Sequence, residues 1–198
     1  MIYYVGDTHF GHENIIKYCR RPFADAATMD QVMYEAIRLI DTGRNTLYHV
    51  GDFAFGPGKL YKKYGELLYA ERHTLIMGNH DRLSDPSDRR KVQTWFRTIV
   101  GTREAWRTNQ LVVEDKLPGA PVKVLLSHLP QRDLRGCAYN VYGHFHNNLF
   151  TQPEREAEWL WALKDERYLN AGVEITDYMP MTLAQLIQAN EEAPTKVW

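Results

Sequence analysis

The stretch His73-Thr-Leu-Ile-Met-Gly-Asn-His-Asp81 (HTLIMGNHD) changes character at its glycine. Its first half, to Met77, is short and apolar, the composition of a buried strand. Its second half sets an amide, an imidazole and a carboxylate side by side just past Gly78. A strand that stops in three ligand-type side chains points to a site at a sheet edge rather than to a core.

The same pattern recurs on both sides. "MIYYV" (1–5) runs into Gly6-Asp7-Thr8-His9, and "TLYHV" (46–50) into Gly51-Asp52. "VKVLLS" (122–127) is followed by His128, and "AYNVYG" (138–143) by His144-Phe145-His146. Five of the eight histidines fall at these strand ends, too many for scattered core or surface positions. In open α/β sheets the carboxyl ends of strands are where ligands collect, so distant segments can meet there. In Asp7-x-His9 and His144-x-His146 the partners are two residues apart, which in extended backbone places both on one side.

Helical spacing fills the intervals: 13–20, 28–41, 59–70 and 181–192. In the second, Thr28 is the expected N-cap, and Met29, Val32, Met33, Ala36, Ile37 and Ile40 form a core stripe. Further strands are expected at 95–100, 104–108 and 110–115, with Pro118, Gly119 and Pro121 marking a turn between strands. Segment 151–167, with Trp159 and Trp161 among charges, fits either a helix or a hairpin. The expectation is an α/β protein with residues 1–198 as a single domain.

Composition narrows the function. With 44% hydrophobic and 25% charged residues the chain is ordinary globular material, and its net charge of −1 argues against stable binding of long nucleic acid. Cys19 and Cys137 form no Cys-x-x-Cys pair and suit core thiols in a reducing cytoplasm. Asp7, His9, His12 and Glu13 rule out a signal peptide's apolar region in residues 1–16, and no stretch suits a bilayer span, so no membrane partner and a cytoplasmic location are expected.

Two aspartates, one asparagine and several histidines suit Mn, Fe, Zn, Ni or Co; the set is nitrogen-rich for Mg or Ca and lacks the thiolates of a structural zinc cage. Asp7, His9, Asp52, Asn79, His128, His144 and His146 are too many for one tetrahedral ion. Two divalent transition-metal ions sharing a carboxylate fit the count.

Taken in order, Asp-x-His, Gly-Asp, Gly-Asn-His-Asp, His and Gly-His-x-His resemble the calcineurin-like metallophosphoesterase superfamily. The opening "GDTHFGHENIIKYCRRPF" (6–23) is similar to a small stand-alone branch from bacteria and phages, and "LYHVGDFAFG" (47–56) and "LNAGVEITDYMP" (169–180) extend the likeness along nearly the whole chain. The resemblance implies a four-layer αββα sandwich, two mixed β-sheets flanked by helices, with a binuclear metal centre that hydrolyses phosphate esters. It puts Asp7, His9 and His146 on one metal and Asn79, His128 and His144 on the other, with Asp52 bridging. His80 matches a catalytic, non-ligand histidine near the leaving-group oxygen, oriented by Asp81. "GDFAFG" (51–56) lacks the arginine of the protein Ser/Thr phosphatase branch.

The expected chemistry is attack on phosphorus by a metal-bridging hydroxide, with manganese favoured among Mn, Fe, Ni and Zn, and His80 as general acid. The expected substrate is a small phosphorylated compound, with a nucleotide-like phosphodiester leading; a phosphomonoesterase, a nuclease and a non-catalytic interaction module are the alternatives. His12 is either a rim contact to substrate or a helix-start residue, and Asn14, Arg20 and Arg21 either meet phosphate or only the helix end. His49 is expected to be a satisfied core histidine, His73 an exposed strand-start residue, and Tyr61, Tyr64 and Tyr69 packing residues. Segments 82–92 and 129–137 are the expected pocket-shaping loops.

Overall fold

The computed structural model describes residues 1–55, 63, 66–83 and 85–193. β1 (Ile2–Val5), β2 (Thr46–His49), β3 (His73–Ile76) and β4 (Thr98–Val100) form one sheet in that order, all parallel. β5 (Gln110–Leu117), β6 (Ala120–Ser127), β7 (Tyr139–Tyr142) and β8 (Tyr168–Asn170) form the second, antiparallel at β5–β6 and parallel thereafter. Mixing is thus confined to the second sheet; antiparallel pairing reaches β1 only as an isolated bridge from Tyr4 to Met181.

Period-two alternation sorts the side chains into layers. Val5, Leu47 and Leu75 face helices α1 (Glu13–Tyr18), α2 (Ala26–Ile40) and α3 (Pro86–Val92), packing with Ile15, Met29, Met33, Ile37 and Val92. Tyr4, Val50 and Ile76 face the other way, onto Val124, Leu126, Val141 and Leu169 of the second sheet. On the outer face of that sheet Tyr142 packs with Phe145 of the following loop, with Leu149 of the short helix α4 (Asn148–Thr151) and with Ala162 of a 3-10 turn (Ala162–Lys164), next to a second 3-10 turn at Ala157–Trp159. Segment 151–167 is therefore neither a regular helix nor a hairpin. Helix α5 (Leu183–Glu192), started by a Thr182–Gln185 capping box, closes the inter-sheet core with Leu183 and Leu186.

Register decides where the strand ends fall. Val5 pairs with His49 and His49 with Leu75, so the segments carrying Asp7, Asp52 and Asn79 leave the sheet side by side. In the second sheet Leu126 pairs with Val141 and Val141 with Leu169, aligning the exits toward His128 and His144. The Gly6 amide donates to the Ala171 carbonyl (2.7 Å) and the Val173 amide to the Gly6 carbonyl (3.2 Å), tying the two exits together. A Cβ at Gly6 would come within 2.7 Å of Val50, so this close crossing requires glycine.

Several local expectations are corrected. The N-cap of α2 is Asp25, whose carboxylate accepts the Thr28 amide at 2.7 Å, and Val32 on that helix is exposed. Residues 104–108 form turns, not a strand: the Ala105 amide donates to the Thr102 hydroxyl, and the Thr108 and Asn109 amides turn back onto the Ala105 carbonyl. Only 98–100 of the expected strand 95–100 pairs, and 86–92 is helical behind Asp85 and Pro86. Most of the expected helix 59–70, with Tyr61 and Tyr64, lies outside the described residues. Among the described residues no helix is long and apolar enough to cross a membrane.

His73 is not exposed but fully buried. Its Nδ1 accepts the Leu47 amide (3.2 Å), and its Nε2 lies 3.0 Å from Asp41 Oδ1, while the Asp41 carboxylate also takes the Leu68 and Tyr69 amides. The strand does start there, but the end of α2 and residues 66–69 cover it. His73→Ala strands the buried Leu47 amide and part of Asp41, so urea unfolding is expected to show a loss of about 2–3 kcal/mol. An exposed position would change stability by no more than about 0.5 kcal/mol.

Candidate metal centre

At the strand ends the backbone turns left-handed. Asp7 (φ 54°), His9 (49°), Asp52 (55°), His144 (74°) and His146 (51°) all lie where only glycine sits without strain. Such conformations cost on the order of 1–3 kcal/mol each and persist where surrounding structure enforces them. Here the enforcement is visible. The Asp7 amide donates to the Gly51 carbonyl and the His9 amide to the Asp52 carbonyl, both at 3.0 Å. The Asp81 carboxylate accepts the amides of Gly78 (2.8 Å), Asp52 (2.9 Å) and Phe53 (2.9 Å), fastening the third exit to the second.

Two groups of donor atoms result. Asp7, His9 and His146 bring one ligand atom each within 4.8 Å of one another, and so do Asp52, His128 and His144. Asn79 joins the second group, its Oδ1 lying 3.0 Å from His128 Nε2 and 3.1 Å from His144 Nδ1. Asp52 touches both groups: its Oδ2 is 3.4 Å from His128 Nε2 and 3.5 Å from His9 Nε2. The His144 amide donates to the Asp7 carboxylate at 2.8 and 3.0 Å, an approach that Gly143 permits, since a Cβ there would stand 2.7 Å from Asp7 Oδ2.

The residues fit a divalent metal on one internal observation. His9 is 2% exposed, yet both its ring nitrogens lack a hydrogen-bond partner. Burying an unsatisfied imidazole is costly, and a bound cation answers that cost. Imidazole nitrogens with carboxylate and amide oxygens are a donor set for first-row transition metals.

Charge follows from burial and proximity. Burial lifts Asp7 to about 6, against the pull of His146 and His128. Burial and then the Asp52 charge lift Asp81 to about 6. Burial also resists ionisation of Asp52, but His128 and His9 outweigh it and hold the carboxyl well below the usual range. Burial, then His128, push His144 down to about 3, and burial drives His9 well below its ordinary value. Burial opposes a proton on His128, yet Asp52 and Asp7 push it up to about 9.

His80 is half-buried at the edge of this cluster, its amide on Asp52 Oδ1 (2.8 Å) and its ring edge-on to His9 at 5.2 Å. Asp81 does not orient it as expected: its three acceptor contacts are all to backbone amides, and among the described residues none goes to the His80 ring. His12 is both helix start and neighbour of the cluster, being the N-cap position of α1 with its ring 5.5 Å from His9 and stacked on half-exposed Phe55 at 4.5 Å.

Asn14 and Arg20 are exposed, whereas Arg21 is buried and meets Glu174 rather than solvent or the helix end. His49 is a satisfied core histidine, with Thr8 Oγ1 at 2.9 Å from Nε2 and the Gly51 amide donating to Nδ1. Residues 129–137 close against the second sheet through Gln131, whose amide donates to Asn140 Oδ1 at 2.7 Å.

Three neighbours of the cluster carried no motif. Trp106 lies 4.9 Å from the His144 ring, and Arg103 Nε donates to the Asn79 carbonyl at 3.1 Å. Glu174 accepts from His146 Nδ1 at 3.0 Å, assigning the ring proton to that nitrogen. Its only signal in sequence is a carboxylate inside the otherwise core-like run Ala171–Ile175.

Two parallel-rich sheets thus carry buried aspartates and histidines at their carboxyl ends, a scaffold whose donor groups could hold metal ions. The calcineurin-like phosphoesterase family model matches residues 1–162, and the chain belongs to that family. An uncharacterized protein of Methanocaldococcus jannaschii is 26% identical over 200 residues, covering 96% of this chain and 92% of the relative. A crystal structure of a protein of unknown function from Aquifex aeolicus superposes with a TM-score of 0.62 at 25% identity, covering 95% of this chain and 98% of that one.

If a divalent cation binds where His128 holds its proton, that proton, pushed up to about 9 by Asp52 and Asp7, has to leave. Apparent manganese affinity is therefore expected to rise between pH 6 and 9, by up to about tenfold per unit for one displaced proton. Titrations across that range check this; a flat profile contradicts it.

Proposed function

We propose that this phosphoesterase is a phosphodiesterase working through two divalent ions, with manganese the first to test, on a small, nucleotide-like substrate. The observation that carries this is Asp52 Oδ2, which lies within 3.5 Å of a histidine in each donor group, the placement a shared carboxylate needs. Divalent ions held there supply positive charge for phosphoryl oxygens and lower the pKa of a water from ~15.7 to about 7.

The chain's own residues do the rest. Asp7, His9 and His146 hold one ion, and Asn79, His128 and His144 the other. Asp52, whose Oδ2 lies near both His9 and His128, would be the carboxylate the two ions share, and its Oδ1 accepts the His80 amide, which fixes the acid candidate's backbone beside it. His80 is half-buried beside the fully buried His9 and contributes no atom to either donor group, which suits a group that gives its proton to a leaving oxygen. Asp81 acts by holding the His80 loop against the Asp52 loop through three amides. The His12–Phe55 stack offers a flat face beside the cluster, the feature that favours a planar leaving group.

Metal-stripped protein resupplied with manganese is expected to hydrolyse an activated phosphodiester faster than its monoester counterpart, and Asp52→Asn to abolish turnover. Absence of turnover with any divalent metal, despite bound ions, overturns the enzymatic reading. His80→Ala is expected to lower kcat by about 10²–10⁴-fold. Its metal content, measured by elemental analysis, should stay that of the parent; metal loss instead makes His80 a ligand.

A further inference from the structure

The segment Arg21-Pro22-Phe23 contributes no atom to either donor group, and neither does Glu174 to the seven-residue ligand set. The two meet beneath one half of the centre. Arg21 is 4% exposed and every nitrogen of its guanidinium is used. Nε and Nη2 reach Glu174 Oε1 at 2.9 and 2.8 Å, Nη1 donates to the Thr8 carbonyl at 2.9 Å, and Nη2 donates to the Asp7 carbonyl at 2.7 Å. Nη1 also lies 3.2 Å from Met29 Sδ. Phe23 seats the segment edge-on against Tyr178, 4.7 Å between ring centres.

These contacts act on three ligands. The two carbonyls that Arg21 grips belong to Asp7 and Thr8, so the clamp spans the left-handed turn that aims Asp7 and His9. Glu174 Oε1, itself fixed by Arg21, takes the proton of His146 Nδ1 and leaves Nε2 as the ring's free donor atom. Asn170 holds the backbone of the same residue, donating to the His146 carbonyl at 2.7 Å. The other half is supported differently: His128 Nδ1 sits on the Val50 carbonyl at 2.8 Å, and no described hydrogen bond or ion pair joins Arg21 or Glu174 to Asp52, Asn79, His128 or His144.

The geometry points to Arg21 and Glu174 as positioning residues for one half of the centre only. They hold the Asp7–His9 turn and the His146 ring in ligating geometry, while the half formed by Asn79, His128 and His144 is independent of them. This rests on the two-ion reading above. A guanidinium is needed because one planar fork serves a carboxylate and two carbonyls at once, which a lysine ammonium cannot. Cys19, whose Sγ lies within 4.8 Å of donors from His146 and Glu174, raises a rival arrangement in which Glu174 binds an ion directly.

Manganese titration of the folded chain, followed by calorimetry and by the spin-resonance signal of free Mn²⁺, separates these cases. The parent is expected to take two ions. Glu174→Ala is expected to weaken one of them by about 10–100-fold and leave the other within about twofold, the usual effect of losing a ligand's hydrogen-bond partner. The unchanged ion shows that the variant is folded. Glu174→Gln, which keeps an acceptor for His146, falls between parent and Glu174→Ala. Arg21→Lys weakens the same ion; a strengthened or unchanged ion there, with Glu174 released from its partner, makes Glu174 a ligand and overturns the proposal. Combined with His9→Ala, Glu174→Ala adds no further loss, whereas combined with His144→Ala it does. Equal weakening of both ions, or of neither, rejects the inference and leaves the two-ion reading standing. A parent that takes fewer than two ions rejects the two-ion reading first, and the inference with it.

Discussion

Side chains from five strand exits must point at one another across a largely buried site, and the rest of the structure depends on that constraint. Extended backbone carries side chains outward in alternation and cannot aim several of them inward over two or three residues. The chain solves this with left-handed turns at Asp7, His9, Asp52, His144 and His146, a conformation uncommon for any non-glycine residue. The turns at Asp7, His9 and Asp52 are held by the parallel pairing that continues past β1 and β2, by Asp81 on three amides and by Arg21 on two carbonyls. Those at His144 and His146 are held by the Asp7 carboxylate and by Asn170. The strain is spent where ligands converge.

Electrostatics imposes a second demand on the same residues. Carboxylates buried this deeply are driven toward their neutral forms, as the rise of Asp7 and Asp81 shows, unless positive charge compensates. Within the polypeptide that compensation comes from protons on His128 and His146 and from Arg21, the buried partner of Glu174. A divalent cation provides it without protons, which leaves imidazoles neutral and able to ligate. His9, with no hydrogen-bond partner for either ring nitrogen among the described residues, is the residue least satisfied without one.

Much of this was legible in the sequence because strand, glycine and ligand follow one another within a few residues. A run such as Leu75-Ile-Met-Gly-Asn-His-Asp81 announces both an apolar strand and its polar exit. Five such exits, four of them with a glycine, named every residue of the groups Asp7–His9–His146 and Asp52–His128–His144, though not Cys19 and Glu174 beside His146. The helices α1, α2 and α5 were likewise written in apolar spacing. What local patterns missed were positions decided by neighbours. Residues 104–108 have strand-like composition but lie past β4, the last strand of its sheet, and curl into turns that carry Trp106 toward His144. His73 looked like an exposed strand start until α2 and residues 66–69 covered it.

By itself, the sequence determined the kinds of ligand, their order along the chain and their place just past strand ends, because those properties are local and periodic. The tertiary structure alone decided that Asp81 braces loops rather than the His80 ring, and that Arg21 lies under the centre. Arg21 and Glu174 are 153 residues apart, and no spacing rule links two such positions. Only the closing of one sheet over the other brings them within hydrogen-bond reach and makes their burial affordable as a pair.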